Sequence, residues 1–172
     1  MNFNQDPAKV ANDLIGKTLV VTLSGAELRS RIIEAEAYYA ENDPPSRAYH
    51  GKKNYNAPMF DGAGKFFIYN VHKYWMLNFT TKPVSAVLIR ALHPLNFSAN
   101  LSGPGRLSMR LGINKELNAK SVGKNTGVWV EKGSPAKVIR SFRIGVRNDL
   151  SIPLRFFEKD NPLVSAHRRE ES

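Results

Sequence analysis

The stretch Arg31-Ile32-Ile33-Glu34-Ala35-Glu36-Ala37-Tyr38 constrains the chain more than any other. As a strand, it puts Glu34, Glu36 and Tyr38 on one face and Ile33, Ala35 and Ala37 on the other. Two carboxylates then stand about 6.6–6.8 Å apart, near enough for each to raise the other's pKa if no cation intervenes. Such a pair suits a general base. A solvated strand face carrying acids is the simpler reading of the same pattern.

The flanking sequence turns this strand into part of a sheet. Thr18–Leu23 is rich in β-formers and Ser24-Gly25 is a turn, so residues 18–38 read as a hairpin. Before it, Asp6-Pro7 with Val10, Leu14 and Ile15 predicts a capped amphipathic helix that stops at Gly16. After it, residues 42–60 form a long basic loop interleaved with tyrosines, and long ordered loops more often carry function than not. Residues 66–69 are a short hydrophobic strand, and Trp75 and Met76 beyond it belong to the core. Ala86–Leu92 is an almost continuous apolar run, the mark of a strand covered on both faces. Arg90 interrupts it. A guanidinium in such a run needs an anion, either a carboxylate such as Glu34 or a ligand phosphate or base. Ser102-Gly103-Pro104-Gly105-Arg106 leads into a helix with Leu107 and Leu111, and 115–127 reads as a polar surface excursion. Residues 128–130, 138–139 and 154–157 are strand-like, 140–147 alternates basic and apolar residues, and the charged tail His167–Ser172 is expected to fray.

Composition narrows the class. At 172 residues the chain suits one domain, and its 25 Lys and Arg against 15 Asp and Glu give a net charge of +10. That excess favours a polyanion, nucleic acid before a membrane surface, because the charge is dispersed and not gathered on a basic helix. The absence of cysteine excludes disulfides, thiolate metal sites and a cysteine nucleophile. His50, His72, His93 and His167 show no i,i+4 pairing of the zinc-hydrolase type, so no metal is expected. No run approaches the roughly 18–20 apolar residues of a membrane span, and the first residues lack the order of a signal peptide. The expected compartment is the cytoplasm, with nucleoid association in a prokaryote.

Several ordered segments together carry a resemblance. They are Leu14–Leu19, Arg31–Tyr38, Asp43-Pro44-Pro45-Ser46, Asn56 through Met59-Phe60, Leu88–Leu92, Gly103–Leu107, Arg143–Val146 and Leu154–Phe157. In this order and over nearly the whole chain, they resemble the alkyladenine (3-methyladenine) DNA glycosylase family. The resemblance implies an α+β fold: one compact domain over residues 1–172, with a mainly antiparallel curved β-sheet flanked by short helices and long loops. It implies a monomer acting on double-stranded DNA that contains damaged purines, with no metal or organic cofactor. The reaction flips the damaged purine out of the duplex and hydrolyses its N-glycosidic bond. Residue by residue, Glu36 resembles the base that activates the attacking water, and Arg90 the arginine beside it. Tyr38 and Tyr69 match two aromatic walls of the base pocket, and Asn78 matches a pocket amide that crowds out the 2-amino group of guanine. Lys52, Lys53 and Arg106 are the candidate backbone contacts.

Two departures leave alternatives open. Ser46-Arg47 stands where the family usually has Ser-His, so Arg47 either turns outward to a phosphate or puts a fixed positive charge in the base pocket. After Tyr69 the chain is shorter by about one residue, which makes His72 the nearest candidate for the wedge that fills the vacated stack, and Tyr74 the second. An imidazole fills less of that gap than a phenol ring. Two rivals remain. One is a glycosylase/lyase using Lys52, Lys53 or the N-terminal amine as a Schiff base, the other a catalytically silent DNA-binding module.

Overall fold

The computed structural model describes residues 1–165, so the charged tail at His167–Ser172 lies outside the described residues. Helix α1 (Pro7–Leu14) forms as its sequence dictates: the Asp6 carboxylate accepts the N–H groups of Ala8 and Lys9, Pro7 opens the first turn, and Val10, Ala11 and Leu14 are buried. Gly16 ends it at φ +90°, a left-handed conformation that a side chain resists. Strands β1 (Thr18–Leu23) and β2 (Ala26–Tyr38) follow as the predicted hairpin. Its two turn residues, Ser24 and Gly25, both take positive φ, which matches the twist of the flanking strands.

The 13 residues of β2 are the spine of the molecule. One edge carries β1 along residues 26–31 and then β8 (Arg155–Glu158) along 34–36; the other carries β5 (Ser85–Pro94). Strands β3 (Phe66–Val71) and β4 (Tyr74–Thr81) extend the β5 side, and β6 (Val128–Glu131) extends the β1 side. Strand β7 (Val138–Ser141) pairs with β8. Every one of these strand pairings is antiparallel, as the α+β expectation requires. The short helices α2 (Ala57–Phe60) and α3 (Pro104–Arg110) pack on the β3–β5 part of the sheet. The 115–127 excursion is not idle, because Lys120 and Asn118 accept the N–H groups of Phe66 and Ile68 and so close the free edge of β3.

The strict alternation expected for β2 breaks once. Ile32 lies opposite Leu92 but Glu34 lies opposite Ala91, so Ile33 is an extra residue; Glu34 to Ala35 then spans Ala91 to Ile89, so Arg90 is an extra residue in β5. These two facing bulges re-phase the strands. Ile32, not Ile33, joins Ala35 and Ala37 in the main core. Residues 32–37 are all fully buried, which removes the solvated-face reading of the two glutamates.

Candidate active site

The bulge at Arg90 aims its guanidinium at the carboxylate pair. Its Nη1 lies 3.3 Å from Glu36 Oε2 and its Nε 3.5 Å from Glu34 Oε1. Neither carboxylate has any exposed surface, and ionised groups so placed need both charge partners and hydrogen-bond donors. Their partners differ. Glu34 accepts from Arg155 Nε at 2.6 Å and from the backbone N–H of Ser165 at 2.9 Å, a closed structural ion pair. Glu36 accepts from the Tyr38 hydroxyl at 2.8 Å on Oε2 and from the backbone N–H of Ile144 at 2.7 Å on Oε1. Burial pushes the Glu36 carboxyl above its ordinary value, against the pull of Arg90, Ile144 and Tyr38; Glu34 adds the smallest of these effects. The mutual repulsion suggested by the spacing is thus minor, because Arg90 and Arg155 intervene.

Tyr38 has a guanidinium on one face, with Arg143 Cζ 4.4 Å from its ring centroid. Burial, followed by the Glu36 charge, holds its phenol well above the ordinary range, so the hydroxyl is a fixed donor. Tyr38, Tyr69, Asn78 and Arg47 line one cavity with Phe67 and Met59. All four predicted pocket residues therefore converge. Tyr69 stacks on Phe67 with centroids 5.1 Å apart, and the Arg47 guanidinium sits 4.8 Å from the Tyr69 ring. Asn78 reaches the pocket as a buried β4 residue whose amide donates to the Phe67 and Met76 carbonyls.

The predicted DNA contacts divide. His72 stands exposed at the tip of the β3–β4 hairpin with φ +53°. Tyr74 packs back onto α3, where a Cβ on Gly105 would come within 2.7 Å of it. His72, Tyr74 and Arg106 border a shared cleft of about 370 Å³ between that hairpin and α3. Lys52 and Lys53 are exposed on the 42–60 loop, and Lys52 Nζ pairs with Asp61 at 3.0 Å. A larger cavity of about 660 Å³, lined by Tyr39, Tyr49, Phe60 and Val84 among others, contains none of the predicted site residues.

One residue central to the site escaped the sequence reading. Arg143 has no exposed surface and binds Asp43, Asp149 and the Ala37 carbonyl while covering Tyr38. It ties the loop that bears Arg47 to the loop whose Ile144 N–H holds Glu36. The available signals were the basic–apolar alternation over 140–147 and the Arg143–Val146 segment of the resemblance, neither of which gave Arg143 a role.

The family model described as methylpurine-DNA glycosylase matches residues 1–162. The chain belongs to the methylpurine-DNA glycosylase family. Relatives that carry the provisional name 3-methyladenine DNA glycosylase bear this out. One from Aeropyrum pernix is 35% identical, with 96% of this chain and 91% of the relative covered. One from Rhizobium etli is 34% identical over 90% and 81%, and one from Legionella pneumophila 35% over 95% and 94%. Membership in the methylpurine-DNA glycosylase family makes the chain a DNA glycosylase, a hydrolase of N-glycosidic bonds, and its substrate DNA. Among the described residues, no helix is long and apolar enough to cross a membrane, and no three His, Asp or Glu side chains gather as a metal site.

Proposed function

We propose that the chain removes damaged purines from duplex DNA by flipping the base into the Tyr38–Tyr69 slot and activating a water with Glu36. The observation that carries this reading is the state of Glu36: fully buried, bonded to the hydroxyl of the slot residue Tyr38, with donors on both oxygens. A carboxylate offers about four lone-pair sites, and three are taken by Tyr38, Arg90 and Ile144. On this reading the fourth, on Oε1, accepts the water proton. A base with a pKa raised by burial is a stronger proton acceptor once ionised, and Arg90 favours its ionised form.

In the reaction, the water oxygen bonds to the sugar C1′ while the C1′–N9 bond breaks and its electron pair leaves on the purine. The water proton passes to Glu36 and then to solvent, and the released purine takes a proton from solvent. Positive charge developing on the sugar faces the buried Glu36. Extrusion costs a few kcal/mol of unstacking, least for poorly paired lesions, and stacking on the pocket rings returns about 1–3 kcal/mol. His72 at the hairpin tip fills the vacated space, while the +10 charge holds the phosphates. The direct test is release of free base from a panel of lesion duplexes, together with borohydride trapping. Free base without a covalent adduct is expected. A trapped adduct would favour a lyase acting through an amine, and tight lesion binding with no release would mean a silent DNA-binding module.

A further inference from the structure

The slot is closed by a cation that belongs to the protein. The guanidinium of Arg47 stands over Tyr69, and the cavity left between it, Tyr38 and Asn78 is about 20 Å³, room for about one water and far short of a purine. Among the described residues Arg47 makes no ion pair, whereas the neighbouring arginines at 90, 143 and 155 all do. Its backbone is held in place. The Arg47 carbonyl accepts from the buried Asn56 amide at 2.7 Å, and Asp43, four residues earlier, is locked to Arg143 at 2.7 Å. The side chain alone can move, so an incoming purine meets an unneutralised guanidinium at the slot whatever the loop does.

We propose that Arg47 makes this site selective for neutral 6-oxopurines, with hypoxanthine as the type substrate, and against purines that carry a positive charge from alkylation. The inference rests on the base-excision reading above. Two properties of the guanidinium work together. Its planar fork of N–H donors matches the adjacent O6 and N7 acceptors of a 6-oxopurine, the geometry by which arginine reads guanine. The same fork meets no pair of acceptors on an adenine, whose exocyclic amino group is itself a donor. A cationic purine would place a second positive charge against an unpaired first one, and on the side the base occupies the aromatic and apolar walls screen the two less than water does. Donation to O6 and N7 also draws charge toward the departing purine as the C1′–N9 electron pair moves onto it. That help is of use to a neutral leaving group and redundant for a cationic one.

The test is single-turnover base release from matched duplexes bearing hypoxanthine, 7-methylguanine and ethenoadenine, by wild type, Arg47→Met and Arg47→Lys. Arg47 is exposed and makes no ion pair among the described residues, so thermal melting of the variants should stay close to wild type. In wild type, hypoxanthine should be released fastest and 7-methylguanine slowest. In Arg47→Met, hypoxanthine release should fall by roughly tenfold or more, the size of one lost bidentate pair, while 7-methylguanine release rises. Arg47→Lys should keep the exclusion of 7-methylguanine, a matter of charge, and lose the hypoxanthine gain, a matter of the fork. Opposite movement on two substrates is not what a general disturbance of the pocket produces. Equal scaling of all three rates in Arg47→Met, or a wild type that prefers 7-methylguanine, would overturn the selectivity. If wild type released none of the three bases, the excision reading itself would fall and the selectivity with it.

Discussion

Replacing Arg143 by Met tests whether a buried ion network holds the active site together. The side chain makes five hydrogen bonds: to Asp149 Oδ1 at 2.9 and 2.6 Å, to Asp43 at 2.8 and 2.7 Å, and to the Ala37 carbonyl at 3.0 Å. Asp43 has no exposed side-chain surface and Asp149 only 4%. Burial alone would lower the guanidinium pKa, but the bonds to both aspartates outweigh it and hold the pKa above the ordinary arginine value. Methionine fills similar space yet leaves two buried carboxylates without a cation. Breaking a buried pair in this way costs about 3–5 kcal/mol. For a chain of this size that lowers Tm by about 6–20 °C, at 2–4 °C per kcal/mol. Urea unfolding followed by tryptophan fluorescence measures it, because Trp75 and Trp129 both pack in or against the core. A cycle with Asp43→Asn should show strong coupling, the double variant being little worse than Arg143→Met alone. A loss below about 1 kcal/mol, as for a surface pair, would refute the network's role.

The other predictions concern the base and the hairpin. Glu36 must be ionised to accept a proton, so base release should fall on acidification through its pKa, which burial places above 4.5. Arg90 lowers that pKa, so Arg90→Met should move the acid limb of the rate profile to higher pH; a limb that stays put would separate Arg90 from the base. Gly105→Ala places a methyl group 2.7 Å from Tyr74, and since that contact is with the Cβ and ring root it cannot swing away. The expected cost is about 1–3 kcal/mol in chemical unfolding, from overpacking at the root of the hairpin that carries His72. An unchanged midpoint would mean that α3 and the hairpin separate freely.

How much of this was legible in the sequence depended on the range of the forces involved. The Asp6 cap and the Ser24-Gly25 turn are local, and the chain forms both as read. Arg90 was legible through chemistry: a guanidinium inside an apolar run demands an anion, and it finds two. The phase of β2 was not, because the bulges at Ile33 and Arg90 arise from pairing two strands more than fifty residues apart in the chain. Those bulges are also what aim Arg90, so the reason for its geometry was hidden even where its partners were guessed. The role of Arg143 was hidden for a similar cause. Its partners Asp43 and Ala37 lie a hundred residues away, and only the closed fold turns an exposed-looking basic alternation into a buried clasp. The orientation of Arg47, left open between phosphate and pocket, follows from the Tyr69 face its guanidinium lies on, while Asn56 holds its backbone; both partners come from elsewhere in the chain.

The central claim is that Glu36 activates the water. Its most direct measurement is single-turnover base release by Glu36→Gln on a hypoxanthine duplex, with lesion binding followed in parallel by fluorescence anisotropy. Glutamine keeps the shape of the side chain and a hydrogen-bonding oxygen but accepts no proton from water. Binding should stay within a few-fold of wild type, and release should drop by about 10²–10⁴-fold, the usual worth of a positioned general base. Release by Glu36→Gln at a rate near that of wild type, with binding intact, would contradict the account.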